Sequence, residues 1–89
     1  MCRNIRPLYN FEPPATAEEI QAASLQFVRK VSGMQKPAKI NQNAFEDAVR
    51  EVSRVIEELF AALQTHAPAR DREIEAEKAR ARARNRYAR

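Results

Sequence analysis

The chain has one cysteine and one histidine, Cys2 and His66, and these are its obvious carriers of nucleophilic or transition-metal chemistry. A nucleophile needs a base within hydrogen-bond reach, and nothing in the sequence brings these two together. His66 reads as a residue at the C-terminal end of a helix, set against the dipole and the last carbonyls. Cys2 reads as a small residue tucked under an N-terminal arm. Removal of Met1 would expose Cys2 with a free amine and thiol, able to bind a metal or oxidise; a mass spectrum with Met1 retained would end that reading. A zinc site takes about four ligands, more than one Cys and one His supply. The carboxylate pairs Glu18-Glu19 and Glu57-Glu58 suit a helix cap and a solvated helix face better than acid–base work, and one glycine cannot build a phosphate-cradling loop. The expectation is a protein that is not an enzyme, with no catalytic residue, no metal, no cofactor and no evident small-molecule substrate.

The chemistry that remains is cationic. Residues 1–68 balance eight Lys/Arg against eight Asp/Glu, so the net charge of +4 comes entirely from the last 21 residues, with eight basic and four acidic side chains. Lys78, Arg80, Arg82, Arg84, Arg86 and Arg89 follow one another with no acid among them. In a helix Lys78, Arg82 and Arg86 share one sector and Arg80 and Arg84 another. Such a helix can lie along RNA or DNA and neutralise phosphates, with counterion release as the driving force and little regard to base sequence. Arg29, Lys30, Lys36 and Lys39 form a second basic group. Arg3 and Arg6 alternate with Tyr9 and Phe11, an arrangement able to stack single strands, although these aromatics read first as anchors for the arm. Against the phosphate-binding reading stands a plain one: the arginines form a solubilising, helix-favouring tail, or pair with the acidic face of the long helix.

The elements that must position these groups are helical. Pro7, Pro13 and Pro14 keep the first 14 residues extended, and Ile5, Leu8, Tyr9 and Phe11 are apolar enough to pin that arm to the rest. Thr16-Ala17-Glu18-Glu19 is a capping box opening a helix at about 17–32, with Ile20, Ala23, Ser24, Phe27, Val28 and Val31 on its buried face, Leu25 at the flank and a left-handed C-cap at Gly33. A loop containing Pro37 follows, longer than the turn of a helix-turn-helix DNA reader but suited to a hairpin. The organising element is a long helix at about 42–65, capped at Asn41 or Asn43. Phe45, Val49, Val52, Val55, Ile56, Leu59, Phe60 and Leu63 lie at i, i+3, i+4, i+7 spacing along one side. Pro68 ends it near Gln64 to His66. Asp71 caps a third helix with Glu73, Glu75 and Glu77 early and arginines late, the order the helix dipole favours; its stripe of Ala76, Ala79, Ala83 and Tyr87 is narrow, so packing is expected only in its first half, with fraying after about Arg84.

At 89 residues, with five prolines, two Tyr, four Phe and no Trp, the chain is one small domain with an aliphatic core. No run is long enough to span a bilayer, the N-terminus lacks a secretory h-region, and a lone cysteine fits a reducing compartment, so the expected location is the cytoplasm, away from membranes. Two helices and a weak third make a thin core, and homodimerisation through the long helix is the expected remedy.

Several strings carry a resemblance: Met1-Cys2-Arg3-Asn4-Ile5, Asn10-Phe11-Glu12-Pro13-Pro14-Ala15-Thr16, Phe27-Val28-Arg29-Lys30-Val31-Ser32-Gly33, Arg70-Asp71-Arg72-Glu73 and Lys78-Ala79-Arg80-Ala81-Arg82. By these the chain resembles, over nearly its whole length, a family of short uncharacterised bacterial proteins, domain of unknown function 2277. The resemblance implies a bacterial, intracellular, stand-alone protein and brings no activity, cofactor or functional residue with it.

The expected fold is therefore all-α: an extended arm (1–15), a helical hairpin built on a long central helix (16–66) and a basic C-terminal helix or tail (69–89). The expected function is nucleic-acid association through that basic helix, aided by the loop cations; the alternative is a protein-interaction module, homodimeric or docking a partner, with no nucleic-acid role.

Overall fold

The computed structural model describes residues 4–87; Cys2, Arg3 and Arg89, singled out above, lie outside them. Three helices carry the fold: α1 (Ala17–Ser32), α2 (Gln42–Ala62) and α3 (Arg72–Tyr87), as the all-α reading requires. Two short strands, β1 (Phe11–Glu12) and β2 (Arg70–Asp71), pair in parallel, Phe11 opposite Arg70 and Glu12 opposite Asp71. From the sequence neither stretch is expected to be a strand. Two-residue strands carry too little periodicity to register in a sequence.

α1 is held at both ends by the devices its sequence announces. The Thr16 hydroxyl accepts from the Glu19 amide at 3.2 Å, and the Glu19 carboxylate accepts from the Thr16 amide at 2.9 Å. Gly33 takes φ 74°, a left-handed conformation, and its N–H donates to the Arg29 carbonyl at 2.9 Å. Ile20, Ser24 and Val28, spaced by four, form the buried line of the helix. Ser24 has no exposed surface, and its hydroxyl donates to the Ile20 carbonyl at 2.8 Å, so a small side chain satisfies its own polar atom in a fully buried position. Val28 packs with Phe45 and Val49 near the start of α2, which makes the hairpin antiparallel. From the arm, Leu8 is buried, and Tyr9 lies 5.6 Å from Phe60, ring centre to ring centre.

Four expectations require correction. Phe27 and Val31, assigned to the buried face of α1, are 50% and 72% exposed; no element covers them. α2 begins through a 3-10 turn at Lys39–Asn41, and Asn41 makes no side-chain cap because its backbone, at φ −104° and ψ 0°, has already left the extended geometry a cap needs. Asn43 lies inside the helix, so the Asn43–Glu46 capping box does not form. α2 also stops earlier than expected: Leu63 turns extended, and Thr65 Oγ1 accepts from the Ala67 amide at 3.0 Å, so His66 is a loop residue with no helix end to serve. Finally, α3 makes no extended packing with α1 or α2 even over its first half; Ile74 is 56% exposed and Ala76 and Ala79 are exposed, while the helix runs on to Tyr87 without fraying at Arg84.

The result is a flat molecule. Its Cα atoms span 44 × 39 × 16 Å with a radius of gyration of 15.8 Å, against about 12 Å for a compact domain of this length. Among the described residues α3 makes no extended packing with α1 or α2, so the hairpin carries no second helix layer.

Candidate nucleic-acid interface

α3 owes its position to a junction that the sequence analysis did not identify. Asn10 adopts φ 63°, a left-handed conformation that Asn tolerates better than most residues. Its side-chain amide donates to the Pro68 carbonyl at 3.2 Å and the Ala67 carbonyl at 3.4 Å, and its own carbonyl accepts from the Arg70 amide at 2.8 Å. The Arg70 guanidinium lies 5.7 Å from the Phe11 ring centre, within reach of its π face. Asp71 Oδ1 then accepts from the Ile74 amide at 3.0 Å, which caps α3 as its sequence predicts.

Arg72 completes the junction. Its Nη2 and Nη1 donate to the two oxygens of Glu19 at 2.7 and 2.9 Å, and its Nε donates to the Pro13 carbonyl at 2.6 Å. This is the two-pronged geometry in which a guanidinium holds a carboxylate best. Glu19 is 20% exposed and also receives Arg6 at 3.4 Å. The hydrogen bond from Arg72, then that from the Thr16 amide, hold the Glu19 carboxyl down at about 2, far below its ordinary range. One residue thus closes the cap of α1 and anchors the first turn of α3. The signal available in the sequence was indirect: Asn10, Pro13 and Arg72 all lie in the strings behind the family resemblance, but no local rule pairs residues more than 50 positions apart.

Beyond this anchor α3 is exposed. Lys78, Arg80, Arg82, Arg84 and Arg86 all face solvent. Arg80 donates to Glu77 through Nη2 at 2.8 Å, Arg84 reaches the same carboxylate at 3.1 Å, and Lys78 lies 3.7 Å from Glu75. The hydrogen bonds from Arg80 and then Arg84 keep the Glu77 carboxyl below its ordinary range. These three cations therefore pair within α3 and not with the acidic side of α2, which has its own partners: Arg54 bridges Glu51 at 2.7 Å and Glu58 at 2.6 Å, and Arg50 pairs with Asp47. Arg82 makes no ion pair within the described residues. The pairs along α3 are exposed and screened, the kind a phosphate can displace at little cost.

The second basic group sits on a different part of the fold from the anchor of α3. Arg29, Lys30, Lys36 and Lys39 gather at the tip of the hairpin, while α3 starts at the opposite end, beside Thr16 and Glu19. Arg29 is half-buried, with its Nε enclosed and without a hydrogen-bond partner. Lys36 lines a groove of about 890 Å³ whose floor is Leu25, Phe45 and Val49. No group of three or more metal-ligating side chains occurs among the described residues, and none of their helices is long and apolar enough to cross a membrane.

The family model described as Uncharacterized conserved protein (DUF2277) matches residues 1–78. The chain belongs to that family. The matched range takes in the arm, the hairpin, the Glu19–Arg72 junction and the cations from Arg29 to Lys78, and it stops short of Arg80, Arg82, Arg84, Arg86 and Arg89. No curated protein and no solved structure matches the chain.

Proposed function

We propose that this is a non-enzymatic, nucleic-acid-associated protein that holds RNA or DNA by its phosphates along the second half of α3. The observation that carries the reading is the exposure of that helix: it stands off the hairpin and presents Lys78, Arg80, Arg82, Arg84 and Arg86 to solvent over about 15 Å, with no acid among them. A rod of that charge density matches a phosphate backbone, and the Lys78–Arg82–Arg86 sector gives about three simultaneous contacts. Contacts of this kind set register and affinity without reading bases. The tip cations, at the other end of the hairpin from the start of α3, supply an additional contact.

The test is fluorescence-anisotropy titration of duplex DNA and of single- and double-stranded RNA at low salt, with nucleic-acid-free protein. The full chain is compared with a full-length variant carrying Lys78→Gln, Arg82→Gln and Arg86→Gln. Binding that falls at least tenfold in the variant supports the reading; equal binding by both, or none by either, ends it. A second reading, a protein-interaction module without a nucleic-acid role, draws on a different observation: the apolar residues the hairpin leaves open. Salt separates the two, because an apolar contact responds little to ionic strength whereas phosphate binding weakens steeply.

A further inference from the structure

Ile5, Met34, Ile40 and Ile74 are exposed elsewhere, but the exposed large apolar side chains of the two hairpin helices lie on one side of the hairpin. At about 100° per residue, Phe27 falls on the flank of α1 opposite Gln21 and Leu25, and Val52, Val55 and Leu59 fall on the flank of α2 opposite Ser53 and Glu57. Gln21, Leu25, Ser53 and Glu57 line the groove, so the other set shares the reverse face. Phe27, Val31, Val55, Leu59 and Leu63 are 50%, 72%, 53%, 49% and 42% exposed. They run the length of the hairpin. Between them lie Ala23, Ala48 and Val52, with Lys30 flanking the strip on α1 and Glu51 on α2.

We propose that this face is the interface with a second copy of the same chain, two hairpins stacking into a four-helix bundle. Three observations select that occupant. The accessible surface is 7350 Å², about 2,000 Å² more than the roughly 5,300 Å² expected of a compact monomer of this mass. Part of that excess is α3; the apolar part is the hairpin face, and an obligate homodimer buries about 1,000 Å² or more per partner. The hairpin is a single pair of helices on which α3 does not pack, and a second identical pair supplies the missing half of a two-layer core. Last, a two-fold contact sets a surface against itself, and the charges that flank the strip, Lys30 and Glu51, are of opposite sign. The opposite groove is rimmed by Lys36, Glu46, Arg50 and Arg54.

The inference stands apart from phosphate binding by α3, and its test uses no nucleic acid. Sedimentation velocity of the full chain across micromolar concentrations gives a species of twice 10.2 kDa, and the melting temperature rises with protein concentration, as it must when folding and association are linked. A full-length variant with Val55→Lys and Leu59→Lys, which places charges in the contact, dissociates about a hundredfold more readily. Gln21→Lys with Ser53→Lys, on the groove side, changes dissociation by no more than about threefold. Circular dichroism follows both variants. Loss of helix in the Val55/Leu59 variant alone also supports the interface, since both side chains are half exposed in the single chain. A wild-type chain that stays at 10.2 kDa with a concentration-independent melting temperature overturns the inference and leaves the face to a different protein; a Val55/Leu59 variant that remains dimeric overturns it too.

Discussion

Glu19→Gln isolates the junction that holds α3 in place. Glutamine at this position still completes a capping box, so the substitution spares the start of α1 and removes the charge that Arg72 clamps. The folded-state carboxyl sits at about 2, against an ordinary 4.5, and a shift of that size corresponds to about 3.4 kcal/mol at about 1.36 kcal/mol per unit. Glu19 and Arg72 are 20% and 31% exposed, and screening by solvent reduces the contribution to about 1–2 kcal/mol. For a domain of this size that lowers the melting temperature by about 5–15 °C at pH 7. The sign with pH follows from the depressed value. The contribution is fully present above the unfolded-state pKa near 4.3, shrinks as pH falls through the interval down to about 2, and is gone below it. Thermal unfolding of wild type and Glu19→Gln at one protein concentration, from pH 7 to pH 2, reads the difference directly. A gap that closes between pH 4.5 and pH 2 supports the clamp. A gap absent at pH 7, or equally wide at pH 2, refutes it.

Other perturbations probe other parts of the fold. Ser24→Leu forces extra methylenes into a fully buried position of α1 and should cost about 1–3 kcal/mol by denaturant unfolding, whereas Ser24→Ala, which orphans no partner, should cost under about 1 kcal/mol. Asn10→Gly keeps the left-handed backbone and loses the two side-chain hydrogen bonds to the Ala67 and Pro68 carbonyls, while Asn10→Ala loses both; alanine should be the less stable by about 1 kcal/mol in the same assay. Gly33→Ala meets no atom within 4 Å but must hold φ 74°, so its cost of about 1–2 kcal/mol is backbone strain alone, visible as a lower melting temperature with an unchanged fold.

The parts of this structure written in local patterns could be read from the sequence. The Thr16–Glu19 box, Gly33 and the dipole order of α3 each depend on residues within a few positions of one another and appear where expected; of the apolar period of α2, Phe45 and Val49 are buried while Val55, Leu59 and Leu63 are exposed. The failures have a common origin. Phe27 and Val31 carry the spacing of a buried face, but spacing cannot say whether anything packs against it. Leu63 to His66 continue a helical pattern, yet the chain leaves it at Leu63, and the carbonyls of Ala67 and Pro68 beyond it accept from Asn10, far back in the sequence. Arg72 was legible as a basic residue near a helix start and not as the ligand of a capping glutamate across the molecule. For the candidate interface, the cations and their two sectors followed from composition and period; that α3 would stand clear of the hairpin, and that Arg80 and Arg84 would share Glu77, required coordinates.

The salt dependence of wild-type binding tests the central claim most directly. With duplex DNA, the logarithm of the association constant should fall linearly with the logarithm of salt concentration at a slope of about −2.7, the value for three neutralised phosphates at about −0.9 each. The slope should lose about 0.9 for each of Lys78, Arg82 and Arg86 replaced by Gln. A slope near zero, or one that these replacements leave unchanged, would contradict the assignment of α3 as the phosphate-binding element.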